Sequence, residues 1–299
     1  MAAIVFLKSL VIRQIIPLDE KMIELVKDAC QDKLLSVRRN AIRAFTQLVI
    51  RLNPMDRTAS LNVSTTATQK MTLHLEWLHM ILDKMDDGDK TVKEEAVNMV
   101  FEHLIDPIVT YSNHQMWDAL HDYPHQFHEV LQRNLKSLFS QLIRDGKLPH
   151  PEKLVKNIWH QFQMHDGNFE VGWILLKVLY SQNKSPRLIE HEKISQYFLD
   201  NARVFVLNYP MVAHHAIELM ADMLPDMDPD IKVGILEESR ALLVGITGDK
   251  IELCAPIAKL IRTDETTEST DWIFTRFRLA DLEKTINKMV RTNSVDAGK

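Results

Sequence analysis

Apolar side chains recur along most of this chain at steps of three and four residues, the period of one face of an α-helix. In DKLLSVRRNAIRAFTQLVIRL (32–52), Val37, Ala41, Ala44, Phe45, Leu48 and Leu52 fall on one stripe. Asp32 precedes them as an N-cap or first-turn acid, and Asn53-Pro54 stops the helix. Upstream, beyond a break at Pro17, LDEKMIELVKDACQD places Met22, Leu25, Val26 and Ala29 on one face. Downstream, the polar, Ser/Thr-rich residues 55–67 predict a mobile loop. The helix QKMTLHLEWLHMILDKM then carries Met71, Leu75, Leu78, Leu82 and Met85 in alternating four- and three-residue steps, and DDGDK turns the chain into TVKEEAVNMVFEHLI. Further helices are predicted near 115–122, 125–144, 151–164, 168–181, 187–207, 209–224, 229–246, 249–262 and 267–291. DGKLPHP, HDGN, QNKSP, NYP, LPDMDP and TGDK separate them.

One segment repeats another. Asp32, Val37, Arg38 and Ala41 recur 55 positions later as Asp87, Val92, Lys93 and Ala96, with Val100 opposite Phe45. Two helix pairs with the same internal order predict tandem repeats. Val and Ala on the inner face let a paired helix approach closely. The acid at the preceding turn complements a helix N-terminus and can also meet an Arg or Lys from the adjacent pair. The expected fold is all-α: an α-solenoid of antiparallel helix pairs over residues 1–291, with a flexible tail at 292–299.

Composition narrows the alternatives. Of 299 residues, 45% are apolar and 26% charged, as in ordinary folded proteins. Only 8 are glycine, where average usage would give roughly 20. That scarcity argues against Rossmann, P-loop and all-β folds, which need glycine at turns and phosphate-binding loops. The net charge of −5 gives no global attraction to DNA or an anionic membrane, although local basic patches remain. Cys30 and Cys254 stand alone on apolar faces, suggesting buried, reduced thiols in a cytosolic or nuclear protein. The apolar start MAAIVFLKSLVIRQII is interrupted by Lys8 and Arg13 and lacks a small-residue cleavage site, so it reads as an array helix whose partner lies upstream.

Candidate chemistry is sparse. His121, His125 and His128 have metal-ligand spacing with Glu129 nearby, but Pro124 interrupts the helix that would align them, so surface or loop histidines are expected and no metal. His214-His215 and the pair His74 and His79 point in different directions on their helices. Asp83, Asp86, Asp87 and Asp89 lack the distal Glu of a calcium loop and read as a repeat-to-repeat turn. HExxH, nucleophile-elbow and Walker motifs are all missing, so no catalysis and no cofactor are expected. Two basic clusters offer DNA-phosphate contacts: Arg39 and Arg43 near the opening helix, and Lys284, Lys288 and Arg291, with Arg276 and Arg278 nearby, at the far end. Arg38 is assigned to the contact between repeats. Most tryptophans read as core, but Trp117 and Trp272 have more polar neighbours and are candidates for anchoring a partner peptide.

The D-x4-V-R-x2-A of residues 32–41 resembles the second-helix signature of HEAT repeats, and residues 87–96 keep it with Lys for Arg. Three longer segments resemble one HEAT family, the D-type subunit of condensin II: DKTVKEEAVNMVFEHLIDPI (89–108), DGKLPHPEKLVKNI (145–158) and FEVGWILLKVLYSQNKSPRL (169–188). In the last, Trp173, Leu175, Leu176, Ser185, Pro186, Arg187 and Leu188 carry the likeness. Family members are much longer, so the resemblance implies a fragment or shortened form. It further implies a nuclear, non-enzymatic subunit that binds the kleisin bridging two structural-maintenance-of-chromosomes (SMC) ATPases, touches DNA or chromatin, and helps condense mitotic chromosomes. The alternative expectation is a cytosolic HEAT adaptor, such as a transport receptor or phosphatase scaffold.

Overall fold

The computed structural model describes residues 9, 20–51, 67–147, 150–182, 190–246 and 248–263. Every regular element among them is helical. The expected mobile loop lies outside the described residues, apart from Ala67, as do most of the apolar opening segment, the helix expected at 267–291 and the tail at 292–299. The chain divides at 189/190 into two compact units.

The first unit holds α1 (Glu20–Cys30), α2 (Leu35–Arg51), α3 (Ala67–Lys84), α4 (Lys90–Val100), α5 (Asp106–Thr110), α6 (Gln115–His121), α7 (His128–Arg144), α8 (Pro151–Met164) and α9 (Glu170–Gln182). A four-residue connection folds α2 back onto α1, and α2 packs on both α3 and α4. On α1 the buried stripe is Met22, Val26 and Cys30; Leu25, expected on that face, is 48% exposed. The four-residue step from Met22 through Val26 to Cys30 leaves Leu25 to one side.

Helix ends follow identifiable local chemistry. Asp89 caps α4, its carboxylate accepting from the backbone N–H groups of Thr91 and Val92 at 2.8 and 3.2 Å. Pro107 has no N–H to give a regular helix. Just before it the chain widens into a π turn over Phe101–Ile105, where the Asp106 N–H donates to the Phe101 carbonyl. The turn after α7 ends in Gly146 at φ 63°, with the Lys147 N–H donating to the Leu142 carbonyl at 2.7 Å. After α8, Gly167 at φ 81° donates likewise to the Phe162 carbonyl at 2.9 Å. Both are left-handed C-terminal closures: after α7 glycine takes the conformation without a Cβ clash, whereas after α8 Asp166, at φ 49°, enters it ahead of Gly167. They fall within two of the breaks expected from the sequence.

α9 is the most enclosed helix of this unit, buried on every face from Glu170 to Leu176. It packs against α7 and α8 and reaches α6. At Gly172 an added Cβ would lie 2.6 Å from Phe169 Cδ1 and 2.7 Å from Phe162 Cε1, so the missing side chain is what admits both rings. α8 in turn covers α5, with Asn157 Nδ2 donating to the carbonyls of Ile108 and Val109 at 2.8 and 3.0 Å. Gln161 Nε2 does the same for the Ser112 carbonyl.

The second unit holds α10 (His191–Asn208), α11 (Pro210–Met223), α12 (Pro229–Gly245) and α13 (Cys254–Arg262). α10 packs on α11 and α12, and α13 packs on those same two helices. Prolines at the first position of α11 and α12 pre-set the helical φ without losing an intrahelical bond. Arg203 of α10 grips Glu238 of α12 through two bonds, at 2.8 and 3.2 Å. Both cysteines are free thiols.

Candidate functional site

The junction between the two matching helix pairs centres on Arg38 and Asp87. Arg38 donates from one terminal nitrogen to the Asp32 carbonyl at 3.0 Å and from the other to Asp87 Oδ1 at 3.0 Å. One guanidinium therefore ties its own turn to the turn of the next pair. Ala41, Val92 and Ala96 are fully buried, Val37 is half-buried and Lys93 is exposed. The two acids play one local role. Asp32 Oδ1 accepts from the Leu34 N–H at 2.7 Å, and Asp87 Oδ1 accepts from the Asp89 N–H at 2.9 Å, each two residues ahead. Asp32 thus shapes the turn and does not cap the helix, which begins only at Leu35.

Residues not singled out in the sequence complete the junction. Lys84, buried at the end of α3, donates to Gln31 Oε1 at 2.7 Å and lies 3.1 Å from Asp83 Oδ2 and 3.9 Å from Asp87 Oδ2. Burial pushes the Cys30 thiol up to about 12, against a smaller opposing pull from Lys84, so it stays protonated and unreactive at neutral pH. The remaining acids of this turn are also engaged: Asp86 binds Arg133 and Asp89 caps α4.

The sequence offers Arg39 and Arg43 to DNA phosphates from a shared face, and the structure turns that face to Glu95 of α4. Arg43 binds both carboxylate oxygens of Glu95, its terminal nitrogen at 2.6 Å, and Arg39 approaches to 3.5 Å. A single carboxylate cancels one of the two charges, leaving a weaker field for a phosphate than two free arginines would give. The hydrogen bond from Arg43 is the main cause holding the Glu95 carboxyl below its ordinary value. A carboxyl depressed in the folded state stabilises the fold above its unfolded pKa of about 4.3, and that contribution fades as pH falls through the lower folded value. Glu95→Gln is expected to cost about 1 kcal/mol at neutral pH, a figure kept small because Arg43 is half-exposed and screened. The gap between wild type and variant should close in melts run progressively below about pH 4. A gap that stays constant with pH would dismiss the ion pair as its source.

Trp117 is corrected outright. It is 1% exposed, its indole N–H donates to the Tyr111 carbonyl at 3.0 Å, and its ring packs edge-on to Phe169. Its polar neighbours in sequence are the solvent face of α6, while its own position faces the core. Trp272, Lys284, Lys288, Arg291, Arg276 and Arg278 lie outside the described residues.

The histidines separate into distinct surroundings. His121 stacks on His165 with ring centroids 4.1 Å apart and binds Asp122 at 2.8 Å. His125, on a short turn ahead of α7, and His128, at the start of α7, both reach the carboxylate of Glu170 at the start of α9. Glu129, the acid adjacent in sequence, is exposed. Glu170 heads a helix that is apolar from Val171 to Leu176, and a first-turn acid reads equally well as a complement to the helix dipole. His214 and His215 each lie 3.7 Å from Glu218 on their own helix.

Compared with known proteins, the chain matches no protein-family model, no curated protein and no solved structure. Among the described residues, no helix is long and apolar enough to cross a membrane.

Proposed function

We propose that this chain is a non-catalytic HEAT-repeat scaffold, a D-type subunit of condensin II or a piece of one, acting on mitotic chromosomes in the nucleus. The observation that carries the proposal is the repeated turn together with the junction that joins its two copies. The same side-chain turn recurs at Asp32 and Asp87, the helices that follow pack on each other, and Arg38 bonds one turn to the next. Repeats joined in this way form an α-solenoid, whose extended surface suits a long partner segment such as a kleisin and needs no catalytic constellation. Contact with DNA is assigned to Lys284, Lys288 and Arg291 ahead of Arg39 and Arg43, which Glu95 already engages. The ATP chemistry belongs to the SMC partners.

The test is purification of the tagged chain from dividing cells, followed by mass spectrometry. Recovery of the kleisin and both SMC ATPases is the expected result. Recovery of a phosphatase or a transport GTPase by a chain shown to be folded would move the assignment to a cytosolic adaptor.

A further inference from the structure

We propose that His125, His128 and Glu170 form a Zn2+ site that fastens the start of α7 to the start of α9. One ligand atom from each residue lies within 4.8 Å of the others. Zinc binds imidazole nitrogen and carboxylate oxygen at about 2.0–2.2 Å, which sets neighbouring ligand atoms roughly 3.3 Å apart, so the contacts of Glu170 with the two imidazoles open slightly to admit the ion.

The deciding detail is how the His128 ring is held. Its Nε2 sits 2.8 Å from the Tyr123 carbonyl oxygen, which can only accept, so Nε2 carries the hydrogen. In the neutral ring Nδ1 then presents a lone pair, and it points at a Glu170 carboxylate oxygen. A lone pair facing a carboxylate repels unless a cation lies between them, either a proton or a metal ion. A histidine that gives its distal N–H to a backbone carbonyl while its other nitrogen faces a carboxylate has the orientation that metal-binding histidines adopt. His125 brings a second Nδ1 to the other oxygen of the same carboxylate.

Burial divides the labour within the cluster. His128 and Glu170 have side chains only 4% and 5% exposed, so they are fixed ligands in a desolvated position. His125 is 68% exposed on a three-residue turn and can swing aside to admit the ion from solvent. Water fills the fourth position on that side. Two imidazoles with one carboxylate suit Zn2+, whereas Mg2+ and Ca2+ require mostly oxygen ligands.

The experiment uses the full chain stripped with chelator and then titrated with Zn2+ in competition with a zinc-responsive dye, and with Co2+ as a visible-spectrum probe of coordination. The expected result is one Zn2+ bound at this cluster, together with Co2+ bands showing nitrogen and oxygen ligation in a low-coordinate site. His125→Ala removes an exposed ligand and leaves the core intact, and should weaken binding at least tenfold. Glu170→Gln should do the same, with circular dichroism reporting the fold of each variant. His214→Ala, in the second histidine cluster, should leave the affinity unchanged. Failure of the folded wild-type chain to bind stoichiometrically would overturn the site and leave a proton as the cation between His128 and Glu170. Binding that survives His125→Ala but is lost in His214→Ala would overturn it equally.

Discussion

Val92→Asp is expected to destabilise the first unit by roughly 3–5 kcal/mol, the range for an uncompensated buried charge. Val92 is 0% exposed on α4, the helix packed on α2. A carboxylate there must stay protonated or draw water between the two helix pairs, and either outcome opposes their packing. Val37, its counterpart one repeat earlier, is half-buried. Val37→Asp can reach solvent and should therefore cost less, about 1–2 kcal/mol. Urea unfolding followed by tryptophan fluorescence can compare the two, because Trp77, Trp117, Trp159 and Trp173 all lie in the first unit. Equal midpoints for the two variants would show that α2 and α4 are not packed as described.

Trp77→Ala is the second large effect, expected at about 3–5 kcal/mol for loss of a buried indole. Trp77 sits on α3 at 1% exposure and donates its ring N–H to Thr46 Oγ1 on α2 at 3.0 Å. The Thr46 hydroxyl passes its own proton to the Ile42 carbonyl at 2.9 Å, so its free lone pair is what receives the indole. Trp77→Phe keeps most of the apolar area but strands that lone pair, and should cost about 1–2 kcal/mol. Measuring both by the same unfolding experiment separates packing from the hydrogen bond. If Phe proved as damaging as Ala, the bond and not the ring volume would dominate the site.

Helix positions were legible because three- and four-residue apolar steps and local breakers act within a few residues. The expected 151–164 is α8 itself, and the expected 125–144 differs only in opening with a short 3-10 turn before α7. What the sequence left open depends on distant partners. Glu95 and Arg43 are far apart in sequence, as are Glu170 and His128, and nothing local marks either carboxylate as a receiver. Trp117 misled for the same reason in reverse: its polar sequence neighbours belong to the opposite face of a short helix. Arg38 was readable because the repeat supplied its partner, with Asp87 standing where Asp32 stands one pair earlier.

The bonds from Asn157 and Gln161 to the end of α5 have a consequence for the order in which the protein assembles. α4, the π turn and α5 run on as one unbroken helical rod over 90–110, so α5 forms as the continuation of α4 and only the carbonyls at its C-terminal end await partners. The carbonyls of Ile108, Val109 and Ser112 gain their side-chain partners only from a helix that begins far downstream, at Pro151. On the ribosome, those carbonyls therefore stay hydrated until α8 has emerged, and the end of the rod is sealed from a later part of the chain.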